Sequence, residues 1–298
     1  MAEPDGRSGA AGGEGRPAAS GAAGGGAAGN GAAGSGAAES DRQREVRLLE
    51  ELAANAWAPY TSQALGAWRL RATFGVTMRA NSVWTVGDVP EGDWLAAAET
   101  FYRRRGLPSC FFVSDGTPDG VDDALAAAGY EKRFPCFLMT GAADETLRRA
   151  SENGRFEVVL EEEADDAWIA DFIRLEGFEP ARAAAYRHIF GAIGPPKAFA
   201  RLTTPDGATA ALATVVAERG YAGVSNVIVA PDRRRQGAAE RLMGALAAWA
   251  KAQGAVTLWL QVVEDNAPAL ALYRKLGFEP RSRFHYRQRA VLPDGLRC

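Results

Sequence analysis

The chain has 298 residues, 47% of them hydrophobic, which is enough for one large or two modest cores. Against 34 Lys and Arg stand 37 Asp and Glu, a net charge of −3, which excludes a general nucleic-acid binder and leaves the basic character local, at Arg233, Arg234 and Arg235. Three scattered cysteines (Cys110, Cys136, Cys298) and two histidines (His188, His285) offer no metal-ligand spacing, no apolar run reaches a membrane span, and the start lacks a signal pattern, so a cytoplasmic, soluble, metal-free protein is expected.

Residues 1–40 are almost entirely Gly, Ala and small polar residues without an aromatic or any Val, Ile or Leu, and are expected to be a flexible tail. From 41 the composition turns globular, with 41–150 read as a first domain and 151–298 as a second. In the first, Val46, Leu48, Leu49, Leu52, Ala53 and Ala56 space an amphipathic helix. Runs 68–74 and 76–84 read as a hairpin pivoting on Gly75, followed by a helix over 93–105, a strand over 109–113, a helix over 121–128 and a strand over 133–139. The second part opens with a strand over 156–160 and helices over 165–176 and 181–190. Strands over 198–203, 209–218 and 221–229, a helix over 238–253, a strand over 256–263, a helix over 268–276 and a strand over 283–290 complete it. Leu242, Met243, Leu246, Trp249 and Ala250 form one apolar stripe on the long helix and read as core.

The order of elements repeats. Residues 81–84 parallel 225–228, 94–104 parallel 239–251, 110–115 parallel 258–264, and Leu125 to Glu131 parallels Leu272 to Glu279, with Gly129-Tyr130 matching Gly277-Phe278. This implies an internal duplication. The divergence is chemical: opposite the arginine-rich 231–237 the first half has 87–93, whose charges (Asp88, Glu91, Asp93) are all negative, and opposite Tyr273 it has only Ala126 and Ala127. The first half is expected to keep the scaffold without the chemistry.

The chemistry concentrates after residue 221. A β-branched strand ends in Val227, Ile228 and Val229, and a Pro231-Asp232 turn follows. A basic loop then closes on Gly237, which opens an amphipathic helix. A small residue at a helix start lets the backbone approach an anion, and the free N–H groups and dipole of the first turn supply attraction. The loop lacks the Lys and hydroxyl of a Walker motif and has one glycine where a dinucleotide fingerprint needs three. Its pattern is Arg234-x-x-Gly237-x-Ala239, and about thirty residues on comes a second one, Asn266-x-x-Ala269-x-x-Leu272-Tyr273-x-x-x-Gly277-Phe278. Together, over residues 155–290, these resemble the two signatures of the GCN5-related N-acetyltransferases, the GNAT superfamily.

The resemblance implies an α/β fold, a mixed central sheet with helices on both faces, duplicated here. It implies acetyl-CoA as donor and a primary amine as acceptor, with no metal, nucleic acid or membrane partner; the oligomeric state is not assigned. The diphosphate would rest on the backbone of Arg235, Gln236, Gly237, Ala238 and Ala239, with the Arg234 and Arg235 guanidiniums nearby. The pantetheine arm would follow the main chain of Val227 to Val229, next to a break in the strand at Ser225 and Asn226. Tyr273 stands where the family's general acid stands, and Asn266 would bond the cofactor or cap the next helix. No acid lies within 221–229, so the base is sought at Glu264, with Glu218, Glu176 and Glu179 as further candidates. Two other readings stay open. One is an amino-acid acetyltransferase of N-acetylglutamate-synthase type, with Arg79, Arg174, Arg182 or Arg187 facing the substrate carboxylate. The other is a non-catalytic acyl-CoA sensor.

Overall fold

In the computed structural model the described residues are 40–150 and 155–289, and all belong to one unit. The expected tail over 1–40 lies outside them except for Ser40, as does Cys298. Ser40 starts the fold with a capping box: its Oγ accepts from the Gln43 N–H at 3.2 Å and its own N–H donates to Gln43 Oε1 at 2.9 Å. Helix α1 (Asp41–Ala56) follows and buries Val46, Leu49, Leu52 and Ala56.

Strands β1 (Thr61–Leu65) and β2 (Trp68–Ala72) then pair antiparallel through a turn at Gly66, whose φ is +57°. This corrects the hairpin expected around Gly75. Of the run 76–84, only β3 (Val83–Trp84) is a strand, antiparallel to β2, and Met78–Ala80 is a 3-10 turn. The buried Asn81 amide is the reason: it accepts from the N–H groups of Thr73 (2.6 Å) and Gly75 (3.2 Å) and donates to the carbonyls of Thr73 (2.8 Å) and Thr77 (2.7 Å). One side chain thus satisfies backbone groups that a hairpin ladder would otherwise have used. The remaining elements are α2 (Trp94–Arg103), β4 (Cys110–Ser114), α3 (Val121–Ala127), β5 (Glu131–Ala142), α4 (Ala143–Arg149), β6 (Glu157–Glu161), α5 (Asp166–Glu176), α6 (Ala183–Gly191), β7 (Lys197–Thr203), β8 (Thr209–Glu218), β9 (Tyr221–Val229), α7 (Ala238–Ala252), β10 (Thr257–Val263), α8 (Ala267–Lys275) and β11 (Glu279–Gln288).

All eleven strands join one sheet, in the order β1-β2-β3-β4-β11-β5-β10-β9-β8-β7-β6. Outward from the central β11–β5 pair the two flanks match. Each has a parallel pair linked through a helix, β3-α2-β4 on one side and β9-α7-β10 on the other, with an antiparallel strand beyond. The crossing lies at the centre. β5, from the first half of the chain, pairs with β10 and β11 of the second half, and β11 pairs in turn with β4 of the first. Each half's last strand is therefore inserted beside the other half's parallel pair.

Helices cover both faces. Leu242, Met243, Leu246 and Ala250 of α7 pack with Met139, Leu276 and Phe278 on one face, with Trp249 only partly buried at the edge. On the other face α1, α5 and α6 bring Leu49, Trp168, Phe172 and Phe190 against Leu138, Phe199 and Trp259. Met139 and Leu138 are consecutive in β5 and serve opposite faces, as the two-residue period of a strand requires. Gly223 of β9 stands opposite Trp259 of β10, and a Cβ there would come within 2.2 Å of the indole. A third cluster, Trp68, Phe101, Tyr102, Phe111 and Tyr130, lies under α2 and α3.

Candidate active site

The site begins where β9 leaves β10. Their parallel pairing runs from Tyr221–Thr257 to Val224–Leu260 and stops there, while Gln261, Val262 and Val263 of β10 stay paired with Leu138, Phe137 and Cys136 of β5. On its other edge, β9 pairs Ser225 with Thr214 and Ile228 with Leu212, so Asn226 and Val227 together stand opposite Ala213, a bulge. Asn226 is the residue that turns: its φ is +54°, and its Nδ2 donates to Thr214 Oγ1 at 3.1 Å. The bulge bends β9 away and opens a wedge-shaped cleft of about 1150 Å³.

One end of the cleft is the loop into α7. The turn Pro231–Arg233 is held by the Arg233 N–H on the Ala230 carbonyl. Arg234 Nε donates to the Val229 carbonyl at 3.3 Å, and Gln236 Nε2 to the Asp232 carbonyl at 2.8 Å. Arg235 and Gly237 take φ of +61° and +81°, and Gly237 is the N-cap of α7. No side chain caps this helix, so its first-turn N–H groups are left to whatever enters the cleft.

The other wall is α8. Asn266 Oδ1 accepts from the Ala269 N–H at 3.2 Å and caps that helix, while also lining the cleft. Tyr273, two turns on, is 8% exposed, with its ring 5.9 Å from that of Phe278. The residue lines the cleft, and its hydroxyl makes no hydrogen bond among the described residues. Burial pushes its pKa up to about 12, against the opposing pull of Arg79, so the phenol keeps its proton at neutral pH. Cys136 also faces the cleft, but burial pushes its thiol up to about 12 and leaves no thiolate to act as nucleophile.

Of the residues singled out in the sequence, the structure gathers Val227, Ile228, Val229, Arg234, Arg235, Gly237, Ala238, Ala239, Asn266 and Tyr273 around this one cleft. Gln236 and Glu264 are not among its lining residues. Gln236 ties the loop back on itself, and Glu264 lies outside with Oε1 3.4 Å from Arg283 Nε. Glu218 accepts from Asn55 and pairs with Arg219, also away from the cleft. Two acids do line it, Glu176 and Glu240, and Glu240 is paired with Lys275 at 2.7 Å. Glu176, at the end of α5, has no ion-pair partner among the described residues; desolvation raises its pKa and Arg79 pulls it back.

The motifs carried no signal for the wall made of Thr77, Met78, Arg79 and Phe134. These residues belong to the half that lacks the motifs and reach the cleft because of the strand crossing. Arg79 lies 4.9 Å from the Trp57 ring centre. In the first half the corresponding gap is stapled shut: beyond β3, Thr85 Oγ1 donates to the Phe112 carbonyl at 2.7 Å and lies 2.8 Å from Thr117 Oγ1.

Comparison with known proteins gives a consistent result. A family model described as "Probable histone acetyltransferase Rv0428c C-terminal" matches residues 43–289. The uncharacterized N-acetyltransferase YobR of Bacillus subtilis (strain 168) is 46% identical over 243 residues, 82% of this chain and 98% of that protein. The [Ribosomal protein bS18]-alanine N-acetyltransferase of Escherichia coli (strain K12) is 40% identical over 75 residues, 25% of this chain and 51% of that one. Among solved structures, a GCN5-related N-acetyltransferase from Kribbella flavida superposes with a TM-score of 0.64 at 17% identity, over 87% of this chain and 98% of its own. A tandem GNAT protein from the clavulanic acid biosynthesis pathway gives 0.60 at 16% identity, over 83% and 89%.

Proposed function

Since the chain belongs to the family of the probable histone acetyltransferase C-terminal model, within the GNAT superfamily of N-acetyltransferases, we propose that its cleft carries acetyl transfer from acetyl-CoA to a primary amine, with Tyr273 as general acid. The observation that carries this reading is the bulged β9 running into the uncapped N-terminus of α7, with Tyr273 on the facing wall. The residues present fit acetyl-CoA. The loop offers uncapped N–H groups beside Arg234 and Arg235 for a diphosphate, and the main chain of Val227 to Val229 is free of β10 for an extended arm. When bound, acetyl-CoA supplies the activated acetyl thioester.

The protein's part is binding, orientation and proton management. Glu176 takes the proton of the incoming ammonium, since it lines the cleft with no ion pair among the described residues and burial raises its pKa against the pull of Arg79. Backbone N–H groups at the β9 break face the carbonyl oxygen on which negative charge develops. Tyr273 gives its proton to the departing sulfur. The balance closes: the ammonium gives up two protons, one to Glu176 and a second that restores Tyr273 after its own proton has gone to the sulfur, while the C–S bond breaks and the N–C(O) and S–H bonds form. We read 151–298 as the half that holds the donor and 41–150 as the half that supports it. A sensor without turnover would need neither an unbonded phenol nor an unpaired carboxylate in the cleft.

Titration of acetyl-CoA into the full chain, followed by CoA release with pooled amines, tests the reading. Saturable binding at one site with amine-dependent release is expected; absence of binding overturns it, and binding at two sites overturns the assignment of the first half.

A further inference from the structure

Beside the cleft lies a second hollow of about 300 Å³ that shares Thr77, Met78, Arg79, Phe134, Glu176 and Asn226 with it. Both halves of the chain build it. Trp57, Phe74 and Phe134 come from one, and Phe172, Phe178 and Tyr186 from the other. Phe178 and Tyr186 stack with rings 5.6 Å apart and 4° from parallel, and Phe172 meets Tyr186 at 4.8 Å.

Two further features are unusual for a merely structural hollow. Phe74 and Phe134 are 56% and 52% exposed, and each has a positive φ, +46° and +45°. Bulky L-residues avoid that backbone region, and such costs gather where a ligand is clamped. The charges are also lopsided. Arg79 and Arg182 line the hollow with no ion-pair partner among the described residues, each guanidinium 4.9 Å from an aromatic ring centre (Trp57 and Phe178). Glu176 is the acid there.

We propose that this hollow is the acceptor site and that the acceptor is an α-amino acid with an aromatic side chain. The ring meets the aromatic wall and the carboxylate meets Arg79 and Arg182. The ammonium faces Glu176 at the junction with the acetyl-CoA cleft. The volume lies at the low end for ligand pockets, which suits a compact molecule. A lysine-bearing peptide tail would bring a cation toward two arginines that outnumber the one acid of the hollow, and a glutamate would set its side-chain carboxylate against an aromatic wall. The product is the N-acetylated amino acid: its nitrogen gains the acetyl group, and CoA leaves as the thiol. The inference rests on the acetyl-transfer reading above.

The test measures CoA release by the full chain with acetyl-CoA and, separately, phenylalanine, tyrosine, tryptophan, alanine, glutamate, phenethylamine and a lysine peptide. At least one aromatic amino acid is expected to exceed alanine and phenethylamine in kcat/KM by on the order of 100-fold. Phe74→Ala, at an exposed position that lines the hollow and not the cleft, should lower that value about tenfold or more with acetyl-CoA affinity unchanged, and Arg79→Ala should erase the preference over phenethylamine. Faster turnover of glutamate, phenethylamine or the peptide overturns the acceptor assignment and leaves acetyl transfer standing. If acetyl-CoA binds and no amine reacts, titration of the aromatic amino acids into the CoA complex decides, and failure to bind overturns the assignment. Failure of acetyl-CoA itself to bind overturns the underlying reading instead.

Discussion

Tyr273 gathers burial, a raised pKa near 12 and a hydroxyl with no hydrogen bond among the described residues, and under the proposed role its removal should separate chemistry from binding. Tyr273→Phe keeps the ring against Phe278, so acetyl-CoA affinity should stay within about twofold while the single-turnover rate falls on the order of 100-fold. A wild-type rate would take Tyr273 out of the reaction. Glu50, on α1, makes a different prediction. It is 4% exposed, one oxygen accepts from Trp84 Nε1 at 3.3 Å and the other has no hydrogen bond among the described residues, and burial raises its pKa from 4.5 to about 7. The folded state then holds a proton that the unfolded state has lost, so this contribution is full below pH 4.5 and fades as pH rises to 7. The loss approaches about 3 kcal/mol, and Glu50→Gln should flatten the slope in urea unfolding measured across that range. At this scale the sequence was legible where local backbone sets a residue's place, as it does for Gly237 at the start of α7 and Asn266 at the cap of α8. Glu176 was one candidate among several, because only tertiary packing shows which acid lines the cleft without an ion pair. Phe134 carried no local signal at all.

Among the elements, the junction of β9 and α7 is where sequence and structure agree most closely, because strand, turn and helix N-terminus each follow from neighbours in the chain. Gly237 takes φ +81° at an uncapped helix start, and a carboxylate there would both strain the backbone and repel a diphosphate. Gly237→Asp should therefore weaken acetyl-CoA binding by about two orders of magnitude or more by titration; an unchanged Kd would remove the loop from the donor site. The elements that escaped the sequence share a cause. β1 is an edge strand with an exposed centre and shows no alternation of burial, and α4 has seven residues, too few for a helical period to register. The run 76–84 reads as the second strand of a hairpin about Gly75, and a single buried amide, Asn81, leaves only Val83–Trp84 as strand.

Over the whole molecule the crossing of β5 and β11 is the feature that motifs could not foretell, since alignment of the halves shows what repeats and not which half each strand joins. It predicts that the second half alone fails as a monomer. Residues 155–289 expressed by themselves would leave β10 and β11 without β5, and β11 also without β4. Such a fragment should aggregate or exchange strands with another copy in size-exclusion chromatography, and a stable monomer binding acetyl-CoA would contradict this. The same crossing bears on how the chain is made. β5 ends at Ala142, and both of its neighbours, β10 from Thr257 and β11 from Glu279, leave the ribosome more than a hundred residues later. At roughly 5–20 residues per second that is on the order of 5 to 25 s during which a strand bearing Phe137, Leu138 and Met139 has no partner on either edge. The central strand of the finished sheet is thus made with both edges open, and the nascent chain depends on whatever shields those three residues until β10 and β11 have emerged.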